Sequence, residues 1–298
     1  MKDMKKFVIA LLVAVIACAG AKAEEWEKQF VINDSIYSAK LGVFRDYTVV
    51  LPASYYTQTD KTYPVLYLLH GMYDDNHSWE KKGLVRAVAH NLARSGEARE
   101  MIIVTPNAGG HDPKVQQNGY FNIPGWPYED FFFEELIPAI EHKFRARKGR
   151  ENRAISGLSM GGGGCTSYAQ RHPDMFSAAY AMSALMDAEM PDPAKTKPDD
   201  KVAMLMTSVA ENSCINYVKN ADDATKDALR TVAWFVDCGD DDFLFDQNIT
   251  FYQAMREARI PCQLRVRDGM HEWIYWNTAL YTALPFVSRH FAPEVPAK

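Results

Sequence analysis

Short unbroken apolar runs alternate along the chain with longer stretches whose apolar residues recur at helical spacing. The run at 63–69, Tyr-Pro-Val-Leu-Tyr-Leu-Leu, ends at His70-Gly71, and 101–105 repeats the pattern. Such runs suit strands buried on both faces of a parallel sheet. Segments 30–38 and 44–52 read as strands joined through Lys40-Leu41-Gly42, with further strands at 152–156, 176–182, 231–236 and 262–266. Helical periodicity covers 83–93, 128–144, a stretch ending near Arg171, 245–258 and 273–290. Strands alternating with helices in this way predict an α/β fold, a mostly parallel central sheet with helices on both faces.

Two stretches break the rhythm. Residues 184–230 contain Met190-Pro191-Asp192-Pro193, then a polar stretch through Lys201, then a helix over 222–230. An insertion of that size between two strands predicts a lid-like cap near a binding site. At the start, Lys2, Lys5 and Lys6 precede an apolar run over 7–17, too short to span a bilayer but suited to a secretory signal. Cleavage after Ala21-Lys22-Ala23 would remove residues 1–23 and leave 24–298 as one domain. The competing reading is a lipobox over Val15-Ile16-Ala17-Cys18, which would put a lipid anchor on Cys18. Soluble export is favoured, because Leu usually stands where Val15 is. Both readings predict an exported protein, periplasmic, secreted or held at the cell envelope.

Composition narrows the function classes. The 298 residues are 47% hydrophobic and 24% charged, which excludes a disordered chain or a small disulfide-stapled scaffold. The formal charge is −5, and removing residues 1–23 takes away a net +3 to leave −8. That sign argues against a nucleic-acid partner, whose affinity rests on neutralised phosphates. The body holds no apolar stretch of about 18 residues, so no membrane span is expected there. Cys165, Cys214, Cys238 and Cys262 form no C-x-x-C pair, so neither a zinc ribbon nor a redox dithiol is indicated. Buried free thiols are expected at Cys238 and Cys262.

Gly157-Leu158-Ser159-Met160-Gly161 fits the G-x-S-x-G pattern, after a predicted strand and at the start of a predicted helix. Flanking glycines permit a sharp turn that lifts the Ser159 hydroxyl off the sheet edge, and the helix start points N–H groups at any oxyanion. A serine nucleophile needs a base, and in this context an acid and then a histidine follow it in the chain. Only His172, His271 and His290 follow Ser159. His172 comes too soon to leave room for an acid on its own strand, and His290 falls inside the last helix. His271, in the loop after 262–266, is therefore the expected base. The acid belongs after the strand 231–236, where spacing does not separate Asp240, Asp241 and Asp242. The two left over would face solvent or cap the next helix.

These residues resemble the esterase D and feruloyl esterase branch of the α/β-hydrolases. The resemblance rests on His70-Gly71 with Trp79, Gly157–Gly162, Gly239–Leu244, His271-Glu272-Trp273 and the helix carrying Glu129-Asp130 and Glu134-Glu135, over about residues 40 to 290. It implies an α/β-hydrolase fold and Asp242 as the acid of G-x-x-D. It also implies an oxyanion hole from the backbone N–H groups of Met160 and Met72, with no metal or other cofactor. Combined with export, it suggests a serine esterase acting on feruloyl or acetyl esters of plant polysaccharide. A siderophore or small acyl ester hydrolase, an acyltransferase of the mycolyl type and a non-catalytic carbohydrate-binding protein are the alternatives. Export argues against hydrolysis of S-formylglutathione.

Other features carry plainer readings. Asp74-Asp75-Asn76-His77 is expected to be a polar loop rather than a metal site, and Gly161–Gly164 lacks the lysine of a phosphate loop. Asn248-Ile249-Thr250 fits a glycosylation acceptor but lies on a predicted helix. Trp126, in Pro-Gly-Trp-Pro, and Trp273 are the candidates for substrate contact. The other aromatics are expected in the core.

Overall fold

Eight strands form one sheet in the order β1-β2-β4-β3-β7-β8-β9-β10. The computed structural model describes residues 29–109, 119–197 and 199–294, so the leader, its cleavage site and Cys18 lie outside it. β1 (Val31–Ser38), β2 (Val43–Val50) and β4 (Ile102–Pro106) pair antiparallel in sequence along one edge. The remaining pairings, through β3 (Val65–Leu69), β7 (Arg153–Leu158), β8 (Ala178–Met182), β9 (Ala233–Gly239) and β10 (Cys262–Arg267), are all parallel. A two-stranded ribbon, β5 (Asn122–Ile123) and β6 (Trp126–Pro127), sits outside this sheet.

The apolar run of β3 divides by alternation. Val65, Tyr67 and Leu69 enter one core and Leu66 and Leu68 the other, and all five are fully buried. A short helix, α1 (Ser78–Lys81), leads into α2 (Val85–Ser95). The first core is roofed by α3 (Tyr128–Phe131), α4 (Ile137–Lys143) and α5 (Met160–Arg171). The insertion then supplies α6 (Lys201–Glu211), α7 (Cys214–Lys219) and α8 (Asp223–Leu229), followed by α9 (Phe245–Glu257). Each of these last four also buries residues in the first core, among them Leu205, Ile215, Val218, Leu229 and Phe251. The second core is covered by α2 and α10 (Trp273–Arg289). The expected mostly parallel sheet with helices on both faces is therefore present.

The helix expected over 128–144 is not uniform: a π turn, Phe132–Leu136, joins α3 to α4. Pro138 explains the break, because it has no N–H for the carbonyl four residues earlier and its ring crowds that carbonyl. In 184–230, α6 and α7 fall where periodicity gave no helix, and the longest exposed stretch is the Pro-rich segment and its polar neighbours before α6. Asn248, the residue of the acceptor pattern, is fully buried and clasps the N–H and carbonyl of Ala184 at 3.1 and 2.9 Å. The four cysteines among the described residues are free, with Cys165, Cys214 and Cys238 buried and Cys262 partly so. No helix among the described residues is long and apolar enough to cross a membrane.

Candidate active site

Met72, Ser159, Asp242 and His271 each lie just past the carboxyl end of a parallel strand, where such sheets place their ligands. The register aligns Gly157 of β7 with Leu69 of β3, Leu158 with Met182 of β8, and Met182 with Asp237 of β9. The loops leaving these strands therefore converge. Ser159 sits between β7 and α5 with φ 54° and ψ −120°, a conformation costing a non-glycine residue about 1–3 kcal/mol. Its neighbours hold it there. The Ser159 N–H donates to the Met182 carbonyl, and the Leu185 N–H donates to the Ser159 carbonyl, both at 2.9 Å.

From this turn a continuous hydrogen-bonded chain runs through three side chains. Ser159 Oγ lies 3.0 Å from His271 Nε2, and His271 Nδ1 lies 3.0 and 2.9 Å from Asp242 Oδ1 and Oδ2. With Nδ1 as donor to the carboxylate, Nε2 is free to accept the serine proton. Burial favours a neutral Asp242. Hydrogen bonds from His271, the Leu244 N–H and the Ser183 hydroxyl outweigh it and hold the carboxyl below its ordinary range. Asp242 is therefore ionised at neutral pH and able to stabilise an imidazolium. Asp240 and Asp241 are exposed, and neither caps α9, which has no side-chain cap. His172 lies instead by Glu129 and Phe133, and His290 is exposed at the end of α10.

The loop carrying Met72 approaches the serine from β3. Gly71 has no side chain where a Cβ would fall 2.6 Å from Leu158 Cδ1 and 3.4 Å from Ser159 Cβ. Buried His70 fixes this loop: its Nδ1 lies 2.8 Å from the Gly71 carbonyl, and its Nε2 accepts the Ala108 N–H at 3.0 Å. Met160 is the first residue of α5, so its N–H has no partner within the helix. Both expected oxyanion donors thus stand on segments that border Ser159.

The aromatic candidates are placed differently. Trp126 lies against Arg45, whose guanidinium is 5.4 Å from its ring, beside Tyr128, which donates to the Asn107 carbonyl. Trp273 packs edge-on against Trp79 and Trp276. The tryptophan that meets His271 is Trp276, edge-on at 4.9 Å, and its indole N–H donates to Ser183 Oγ at 3.0 Å. Ser183, buried and at φ 44°, thereby links Trp276 to Asp242. Phe243 lies over His271 at 4.4 Å. Sequence reasoning missed these three residues. Of them only Phe243, beside the acid in sequence, left a signal that could have been followed.

The polar loop after β3 is internally satisfied. Asp74 pairs with Lys82 at 2.7 Å, Asp75 accepts the His77 N–H, and Asn76 donates to Thr48. Exposed Asp240, Asp241 and Asp268 bring carboxylate oxygens within 4.8 Å of one another, a common surface arrangement.

Comparison with known proteins places the chain in a family. A family model described as a putative esterase matches residues 38–287. A solved structure of a ferulic acid esterase is 57% identical with a TM-score of 0.83, over 88% of this chain and 98% of that one. An endo-1,4-beta-xylanase/feruloyl esterase of Xylanibacter ruminicola is 31% identical over 168 residues, and an esterase of Mycobacterium tuberculosis 33% identical over 137. Those matches cover 55% and 45% of this chain but only 23% and 28% of the two relatives, so the chain spans a minor part of their length.

Proposed function

The chain belongs to this esterase family, and from that premise we propose that it is an exported serine esterase cleaving feruloyl or acetyl esters on plant polysaccharide. The observation that carries the reading is the chain of hydrogen bonds from Ser159 through His271 to Asp242 at the carboxyl ends of parallel strands. Ser159 Oγ attacks the ester carbonyl while His271 Nε2 takes its proton. Charge developing on the carbonyl oxygen is met by the N–H groups of Met160 and Met72; one such donor is typically worth about 2.7–4 kcal/mol in the transition state. The C–O bond then breaks, the alcohol leaves with the proton from His271, and water releases the acyl group by the same route. Asp242 holds the imidazole tautomer throughout. No step calls on a metal or organic cofactor.

The acyl group is suggested by the ferulic acid esterase likeness, which extends over 88% of the chain. The polysaccharide is suggested by the xylanase/feruloyl esterase relative. Export rests on the basic and apolar pattern of residues 1–23. Residues 184–230, whose Leu185 N–H donates to the Ser159 carbonyl, are read as a lid-like insertion beside the substrate pocket.

The test is an assay of methyl ferulate, acetylated xylan, p-nitrophenyl acetate and a triscatecholate siderophore, with wild type and Ser159→Ala. Ferulate or acetyl hydrolysis is expected, with kcat falling on the order of 10⁴–10⁶-fold in the variant. Hydrolysis of the siderophore alone would transfer the assignment to that substrate. Full activity in a folded Ser159→Ala would reject the mechanism.

A further inference from the structure

We infer that Phe243 is the platform on which the sugar alcohol of the ester rests. The inference rests on the esterase reading above. Phe243 directly follows Asp242 and is 76% exposed, while its neighbours Asp242 and Leu244 are buried. The core does not use this ring. Its one aromatic partner among the described residues is His271, at 4.4 Å and 48°. Buried Trp276 meets the same imidazole edge-on at 4.9 Å and 88°. The imidazole thus has a buried aromatic support and a solvent-side aromatic neighbour, and only the second is accessible to substrate.

The chemistry says which half of the substrate that neighbour meets. When the tetrahedral intermediate collapses, the carbonyl re-forms, the C–O bond to the alcohol breaks, and the departing oxygen takes the proton from His271 Nε2. The acyl group stays on Ser159. A side chain lying on the imidazole therefore borders the alcohol rather than the acyl group. A flat apolar ring suits the C–H face of a ring sugar, since its π face attracts the partly positive hydrogens there. The same two loops expose the carboxylates of Asp240, Asp241 and Asp268, which accept hydrogen bonds from hydroxyl groups and repel an anionic alcohol. A neutral polyhydroxyl alcohol satisfies both features.

The experiment compares esters sharing an acyl group. Methyl ferulate is set against a feruloylated arabinoxylan oligosaccharide, and ethyl acetate against an acetylated xylo-oligosaccharide, with wild type, Phe243→Ala and Phe243→Tyr. In Phe243→Ala the ratio of kcat/KM for sugar ester over alkyl ester should fall about tenfold, through KM, as loss of one aromatic contact implies. Phe243→Tyr should restore it. An unchanged ratio, or an equal loss on both esters carried by kcat, would overturn the platform. Wild type active on only one acyl pair corrects the acyl assignment, and that active pair still decides the platform. Wild type inactive on both pairs overturns the feruloyl and acetyl ester reading, and the platform with it.

Discussion

Three consecutive aspartates pose the sharpest question at the scale of single residues. Their spacing from β9 is nearly the same, yet only Asp242 turns inward, where it accepts from His271, Leu244 and Ser183. Asp237, at the other end of the run, is also fully buried but serves the body of the fold. It accepts from Tyr180 and Tyr275 at 2.5 and 2.6 Å and pairs with Arg265 at 2.5 Å. Asp242→Asn should therefore lower kcat for p-nitrophenyl acetate about 10⁴-fold, because an amide at Nδ1 favours the wrong tautomer. Asp240→Asn and Asp241→Asn should cost far less; similar losses in all three variants would reject the assignment. Ser159 and His271 were legible because chain order and position relative to strands define them. Ser183, Trp276 and Phe243 were not, because each reaches the site through a tertiary contact that no local spacing encodes.

Among the elements, the sheet and its crossover helices were readable from periodicity, since burial on both faces leaves an unbroken apolar run. The helices of the insertion were not. Their apolar residues, such as Leu205, Val209, Ile215 and Val218, follow a long polar stretch, and their burial depends on the first core. Cap residues offered the available signal. Asp200 accepts from the N–H groups of Val202 and Ala203, Ser213 from Asn216, and Asp222 from Thr225. A close fit between elements lies where α5 leaves the serine turn. A Cβ on Gly161 would fall 2.5 Å from the His70 carbonyl oxygen and 2.6 Å from that of Leu69. These are backbone atoms and cannot rotate away, so α5 and the end of β3 would have to separate. Gly161→Ala is expected to destabilise the protein by about 1–3 kcal/mol. It should also lower kcat, because Met160 and Met72 stand on the two segments forced apart. Calorimetry and kinetics together check this. A variant with wild-type Tm and kcat would show that the approach is looser than the geometry requires.

At the scale of the whole molecule, buried titratable groups tie distant strands together and make stability depend on pH. His70 joins the end of β3 to the segment after β4. Burial pushes its imidazole below the ordinary value despite the hydrogen bond to Gly71 and the nearby Asp74 and Asp75. Glu100 binds the Ser54 N–H and hydroxyl and Lys61. Those bonds, outweighing its burial, hold its carboxyl low, as they do for Asp242. The sign is the same for both kinds of group. A folded-state pKa below the unfolded one means that the unfolded chain binds more protons, so stability is complete above the unfolded value and is lost as pH falls. The unfolded values are about 6.5 for histidine and about 4 for the carboxylates. Tm should therefore decline in two stages on acidification, beginning near pH 6.5 and steepening below about pH 4. His70→Gln keeps an acceptor for the Ala108 N–H but cannot titrate. It should be less stable than wild type at pH 8 and lose less Tm between pH 8 and 5, while the decline below about pH 4 persists. Calorimetric Tm profiles of the two proteins decide the matter. An identical slope between pH 8 and 5 would remove His70 as the source of the first stage, and a flat profile below pH 4 would remove the carboxylates as the source of the second.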